Sequence, residues 1–237
     1  MGRIHNIEGK KNKMDTRRAA AFTKHAKSIA VAAREGGGLP EYNAALKLAI
    51  EKAKADNMPN DNIERAIKKG VGGNDGENYE HITYEGYGPG GVAMIIDVLT
   101  DNKNRAAGNV RHYLDKANGN LGTAGCVSFM FERKGAIFVE KDDDLFSEDE
   151  LMEIALEAGA EDFQTEEEGY EIITAPEDFL AVKEALDAKN CSFLSAEVTM
   201  LPSTYVAVDE KVRKSMEKLL DNLEDDDDVQ NVYHNMQ

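Results

Sequence analysis

The sequence predicts an α+β protein, with an all-helical N-terminal bundle followed by two α+β domains. Three observations carry this reading. Apolar residues recur at helical spacing up to about Lys69. A Gly-rich, polar stretch without periodicity, residues 71–78, then reads as a linker. Beyond it, short apolar runs of strand character alternate with helical segments. At 41% hydrophobic over 237 residues, the chain has enough apolar surface for real cores without disulfides or metals.

Taken in order, residues 1–14 read as a flexible basic arm with few apolar anchors. A helix is expected from Asp15 or Thr16, either of which can cap it, to about Arg34. Phe22, Ala26, Ile29, Ala30 and Ala33 form its apolar stripe, and Gly36-Gly37-Gly38 stops it. A second helix is expected over 42–55, with Pro40 near its start and Leu46, Ala49, Ile50 and Ala53 inward. Asn57-Met58-Pro59 breaks the chain. A third helix, 60–69, turns Ile63, Ala66 and Ile67 inward and ends at Gly70. After the linker the pattern predicts strands at 92–99, 126–131 and 135–140, and a helix at 104–117. An acidic loop at 142–144 precedes a helix at 148–158, a strand at 170–174, a helix at 176–188 and a strand at 196–201. A helix at 209–223, an acidic turn and a strand at 229–233 complete the chain.

Charge is unevenly spread. The net charge of −17 alone argues against a polyanionic partner. Yet residues 1–69 hold 15 Lys and Arg against 8 Asp and Glu, whereas the remainder holds 13 against 37. Such a dipole orients the basic end toward a polyanion. At 100° per residue, Arg17, Lys24, Lys27 and Arg34, with Lys13 if the helix extends back that far, share an arc of about 100° on the first helix, well away from the apolar stripe. A single-signed ridge beside a basic arm is suited to phosphates, whereas a face kept only for solubility usually mixes signs. Lys68 and Lys69 suit the C-terminus of the third helix through its dipole, with phosphate contact as a secondary role. The expected nucleic-acid-binding set is Arg3, Lys10, Lys11, Lys13, Arg17, Arg18, Lys24, Lys27, Arg34, Lys68 and Lys69.

Other chemistries find little support. Gly86-Tyr87-Gly88-Pro89-Gly90-Gly91 matches G-x-G-x-x-G, but a strand follows it where a dinucleotide site needs a helix, so it reads as a turn between strands. Tyr84 and Tyr87 flank that turn and are expected to pack there. Thr100-Asp101-Asn102-Lys103-Asn104-Arg105 reads as a capped helix entry. The five histidines and the distant Cys126 and Cys191 show no metal or redox spacing. The acidic runs 166–168 and 224–228 lack the spacing of a calcium loop and read as solvated surface. No phosphate-binding loop or nucleophile elbow is present, so no enzyme, cofactor or small-molecule substrate is expected. The polar, basic opening and the lack of an apolar run near about 20 residues predict a cytoplasmic protein away from membranes, and with nothing resembling a coiled coil or a dimer seam a monomer is expected.

Long strings carry a resemblance. Phe22-Thr23-Lys24, Val31-Ala32-Ala33-Arg34, Asn57-Met58-Pro59, the run from Asp61 to Gly70 and the run from Tyr84 to Ala93 resemble the YebC/PmpR family. So do the runs from Leu99 to Arg105, Gly119 to Leu121-Gly122 and Ser128 to Gly135, in order along nearly the whole chain. The resemblance implies a third domain inserted within the second: a helical domain at 1–75, a middle domain at 76–133 plus 204–237, and an inserted domain at 134–203. It implies a non-enzymatic, DNA-binding transcriptional regulator. Related members, including the mitochondrial translational activator of cytochrome oxidase, act on translation, so a ribosome-associated factor binding ribosomal RNA is the alternative. A protein-interaction module whose acidic domains dock a basic partner is the competing class. Many members open with a motif like H-S-K-W-x-x-I-K; here the opening keeps its basic character, but the chain has no Trp.

Overall fold

A computed structural model describes residues 18–72, 79–141 and 146–237. The expected cap at Asp15 or Thr16, most of the linker and the loop 142–144 lie outside these residues. The described residues carry seven α-helices and two four-stranded antiparallel sheets, a mixed α+β composition as the sequence predicts. They cluster into two compact units, one running to Ser128 and resuming at Tyr205–Gln237, the other Phe129–Thr204.

The first unit opens with α1 (Arg18–Gly36), α2 (Ala44–Ala55) and α3 (Asn60–Val71). Ile29, Ala33, Leu46, Ala53, Met58, Ile63 and Ala66 form their shared core. The second helix starts later than the sequence suggests, because Pro40–Tyr42 forms a separate 3-10 turn and Asn43 takes the cap. The Asn43 carboxamide accepts from Leu46 N–H at 3.0 Å and donates to the carbonyls of Ala32 and Gly37 at 2.7 and 2.8 Å. One buried side chain thus starts α2 and ties it to the end of α1, where a cap alone contributes about 0.5–2 kcal/mol. Asn57, at φ 61°, ends α2 in the left-handed region. Gly70 does not stop α3, which continues to Val71. It lies where α3 crosses α1: a Cβ there would sit 2.3 Å from the Ala30 carbonyl oxygen, so only glycine permits this approach.

The sheet of the first unit runs β3-β1-β2-β8, built from β1 (Glu80–Tyr87), β2 (Ala93–Thr100), β3 (Asn120–Leu121) and β8 (Val229–His234). Its core joins Met94, Ile96 and Val98 of β2 to Val110 and Leu114 of α4 (Lys103–Lys116). Met216, Leu219 and Leu223 of α7 (Glu210–Glu224) complete it. The near-continuous apolar run of β2 suits a central strand buried on both faces. The Gly-rich segment joins β1 to β2, with Gly88 N–H donating to the Val92 carbonyl at 2.8 Å, so a strand does follow the glycines.

Residues 126–131 are not the expected strand. Residues 124–127 turn, Ser128–Met130 is a 3-10 turn, and one long strand begins at Phe131. The cause is Glu85 on β1, which is buried. Its carboxylate accepts from the N–H groups of Gly125, Val127 and Ser128 at 2.7, 2.8 and 2.8 Å, drawing this backbone away from strand pairing.

The second unit orders its strands β5-β6-β4-β7, from β4 (Phe131–Glu140), β5 (Ala160–Thr165), β6 (Gly169–Thr174) and β7 (Phe193–Pro202). With α5 (Glu148–Glu157) and α6 (Phe179–Asp187), the chain order is β-α-β-β-α-β, a split β-α-β arrangement. Ile137, Val139 and Ile172 pack against Leu151, Phe179, Val182 and Leu186. No helix among the described residues is long and apolar enough to cross a membrane.

Candidate nucleic-acid interface

The cations singled out in the sequence divide into three groups. Arg3, Lys10, Lys11, Lys13 and Arg17 lie outside the described residues, and Arg18 opens α1. Arg34 in the last turn of α1, and Lys68 and Lys69 in the last turn of α3, are exposed. Lys24 and Lys27 are half-buried and form the third group.

That third group corrects the expectation of a free ridge. Lys24 Nζ donates to the Glu224 carbonyl at 2.5 Å. Lys27 Nζ donates to the Asp227 carbonyl and to Asp228 Oδ1, both at 2.8 Å. Next to them, Ser28 Oγ donates to Gln230 Oε1 at 3.0 Å. The face of α1 opposite its bundle stripe is therefore seated on the turn between α7 and β8. Helical geometry fixes which residues share a face, but not what lies across from it. The same contacts correct the reading of 224–228 as solvated surface: Asp228 is 4% exposed and is a hub. Besides Lys27, it accepts from Thr100 Oγ1 at 3.0 Å and from Arg105 Nε and Nη2 at 3.1 and 2.7 Å. The segment from Thr100 to Arg105 is thus structural, with Asn102 capping α4 through Arg105 N–H at 3.0 Å.

The local field follows these contacts. Burial pushes the Lys24 ammonium down and Glu224, Asp226, Asp227 and Asp225 pull it back, leaving it below its ordinary value. Burial would push the Asp228 carboxyl up, but hydrogen bonds from Lys27 and Arg105 outweigh it, and the group ends below its ordinary value.

A groove of about 380 Å³ opens between α1 and α3. Sequence reasoning missed Arg65, Asn62 and Tyr79, which line it along with Lys27 and Lys69. Arg65 stands four residues before Lys69 and so on the same face of α3, a spacing that was available as a signal. The Lys27 ammonium lies 5.8 Å from the centroid of the Tyr79 ring. Tyr84 and Tyr87 stay structural: Tyr84 packs on the sheet core and the Tyr87 hydroxyl donates to the Cys126 carbonyl at 3.3 Å. Among the described residues, no group of three or more His, Cys, Asp or Glu is arranged to hold a metal ion.

A helical bundle with exposed cations, followed along the chain by acidic α+β segments, defines the class of protein at hand. The model of the TACO1/YebC protein N-terminal domain matches residues 2–73, and that of the TACO1/YebC second and third domain matches residues 79–236. The chain belongs to the TACO1/YebC family, as its long motif strings suggested. It is 66% identical over 236 residues to a probable transcriptional regulatory protein of Clostridioides difficile (strain 630), covering 99% of this chain and 98% of the relative. It is 58% identical over 231 residues to a probable transcriptional regulatory protein of Hathewaya histolytica, covering 98% and 94%. A crystal structure of a conserved hypothetical protein from Aquifex aeolicus aligns with a TM-score of 0.82 at 48% identity, covering 95% of this chain and 93% of that one.

Proposed function

We propose that the chain is a non-enzymatic regulator of transcription that binds duplex DNA through its helical bundle. The carrying observation is that Arg34, Arg65, Lys68 and Lys69 are exposed on α1 and α3, while the acidic surplus lies in the rest of the chain. The names of the relatives, probable transcriptional regulatory proteins, support the regulatory half of the reading. Exposed Lys and Arg neutralise phosphates and release counterions, which gives affinity before any sequence is read. The arm cations Arg3, Lys10, Lys11, Lys13, Arg17 and Arg18 add phosphate contacts in this reading. Lys24 and Lys27 tie α1 to the acidic turn and contribute to stability. Residues 1–75 act as the DNA-contacting domain, and the domains at 76–133 plus 204–237 and at 134–203 orient it by repulsion from the polyanion. The protein works as a cytoplasmic monomer without cofactor.

Crosslinking in cells, followed by sequencing of the bound DNA and RNA, tests this reading. Enrichment of discrete promoter-proximal DNA is expected. Recovery of ribosomal RNA without DNA enrichment would move the protein to translation, and enrichment of neither would leave the protein-interaction class.

A further inference from the structure

We infer that the groove between α1 and α3 receives one unpaired base of the bound nucleic acid. This rests on the nucleic-acid reading above and deepens it. Part of the lining of the groove is apolar, with Phe22, Ala26 and Met58. Its charged lining is Lys27, which Asp228 neutralises, together with Arg65 and Lys69, both exposed on α3. Its volume of about 380 Å³ falls near the lower end of the about 300–1,000 Å³ range of small-molecule sites. An occupant that is flat and apolar in its body and anionic at its edge fits this pattern, and a base with its flanking phosphates has that form.

The residues divide the work. The guanidinium of Arg65 uses Nε on the Asp61 carbonyl at 3.2 Å and Nη2 on Asn62 Oδ1, which hold it along the surface of α3. Two of its five donors are used there, and a phosphate engages the others. Lys69, one turn on, neutralises the neighbouring phosphate. Tyr79 gives an aromatic surface and Asn62 an amide for a base edge. A base stacked inside an uninterrupted duplex has no free face to offer this lining. The site therefore selects bulged, flipped or single-stranded positions.

The test compares three short DNA duplexes by fluorescence anisotropy on the full chain: uninterrupted, with one bulged nucleotide, and with the same bulge lacking its base. The last two carry equal charge. The bulged base is expected to bind about tenfold more tightly than the abasic bulge, within the about 5- to 150-fold range of one stacked base. Tyr79→Ala is expected to reduce that ratio to about two or less. A 5-bromouracil placed in the bulge should crosslink to peptides of α1 or α3. Equal binding of base and abasic bulges, or a preference that survives Tyr79→Ala together with crosslinks elsewhere, overturns the inference while duplex binding keeps the parent reading. Binding to none of the three overturns both. Displacement of all three by a polyglutamate peptide, without any base preference, assigns the groove to acidic peptides instead.

Discussion

Replacing Asp228 by alanine is expected to lower stability by about 3–5 kcal/mol, the loss typical of breaking a buried ion pair from one side. Its carboxylate accepts from Lys27, Thr100 and Arg105 and is 4% exposed, so the α1 helix, the end of β2 and the start of α4 all meet on it. Removing it takes from the Lys27 ammonium, whose side chain is 14% exposed, its counter-charge and leaves it the Asp227 carbonyl, whereas Arg105, at 46%, can return to water. A fall in Tm of roughly 6–20 °C is expected for a chain of this size. The effect has a pH signature. The folded carboxyl lies below its ordinary value of 3.8, so its stabilisation is complete above the unfolded value and is lost as the pH falls through the folded one. Asp228→Asn should therefore show a shallower loss of stability in acid than the wild type. A Tm within about 2 °C of wild type for Asp228→Ala would contradict the hub.

Glu85→Ala is expected to cost about 3 kcal/mol, with the damage concentrated at 122–128. Burial pushes this carboxyl up, but the N–H groups of Gly125, Val127 and Ser128 outweigh that, and it ends below its ordinary value of 4.5. Without the carboxylate three donors lose their acceptor, and Val127 is fully buried. Gly125 holds φ at 86°, a conformation that the carboxylate helps fix in place. Hydrogen exchange at Gly125, Val127 and Ser128 should accelerate far more than at β2. Glu85→Gln should not restore the wild-type rates, because its amide presents N–H groups where the backbone already donates. Uniform acceleration across the sheet, or none, would contradict this account.

These two carboxylates also show what the sequence left illegible. The helices of the bundle and α7 follow from apolar periodicity and β2 from its apolar run, signals that are local and need no partner. The segment 126–131 has strand-like composition, and only a buried carboxylate some 40 residues away reveals it as a pinned loop. Strand β5 was missed because Ala160–Thr165 alternates acidic and polar residues around the single large apolar Phe163, the pattern of an edge rather than a core strand. For the candidate interface, the basic composition of the first 69 residues was legible. The partners of Lys24 and Lys27 lie 200 or more residues away, so no helical wheel could separate cations that tie the fold from cations that face solvent.

The central claim, that exposed cations of the bundle hold phosphates, is tested most directly by a salt titration of duplex binding. The full chain is compared with an Arg34→Ala, Arg65→Ala, Lys68→Ala, Lys69→Ala variant, with thermal melts in parallel. Each lost phosphate contact flattens the slope of log K against log salt by about 0.9, so the variant should lose about 3–4 units of slope and bind all sequences more weakly. Its melting should hardly change, since exposed charges contribute little to stability. A folded variant with the affinity and slope of the wild type would contradict the claim.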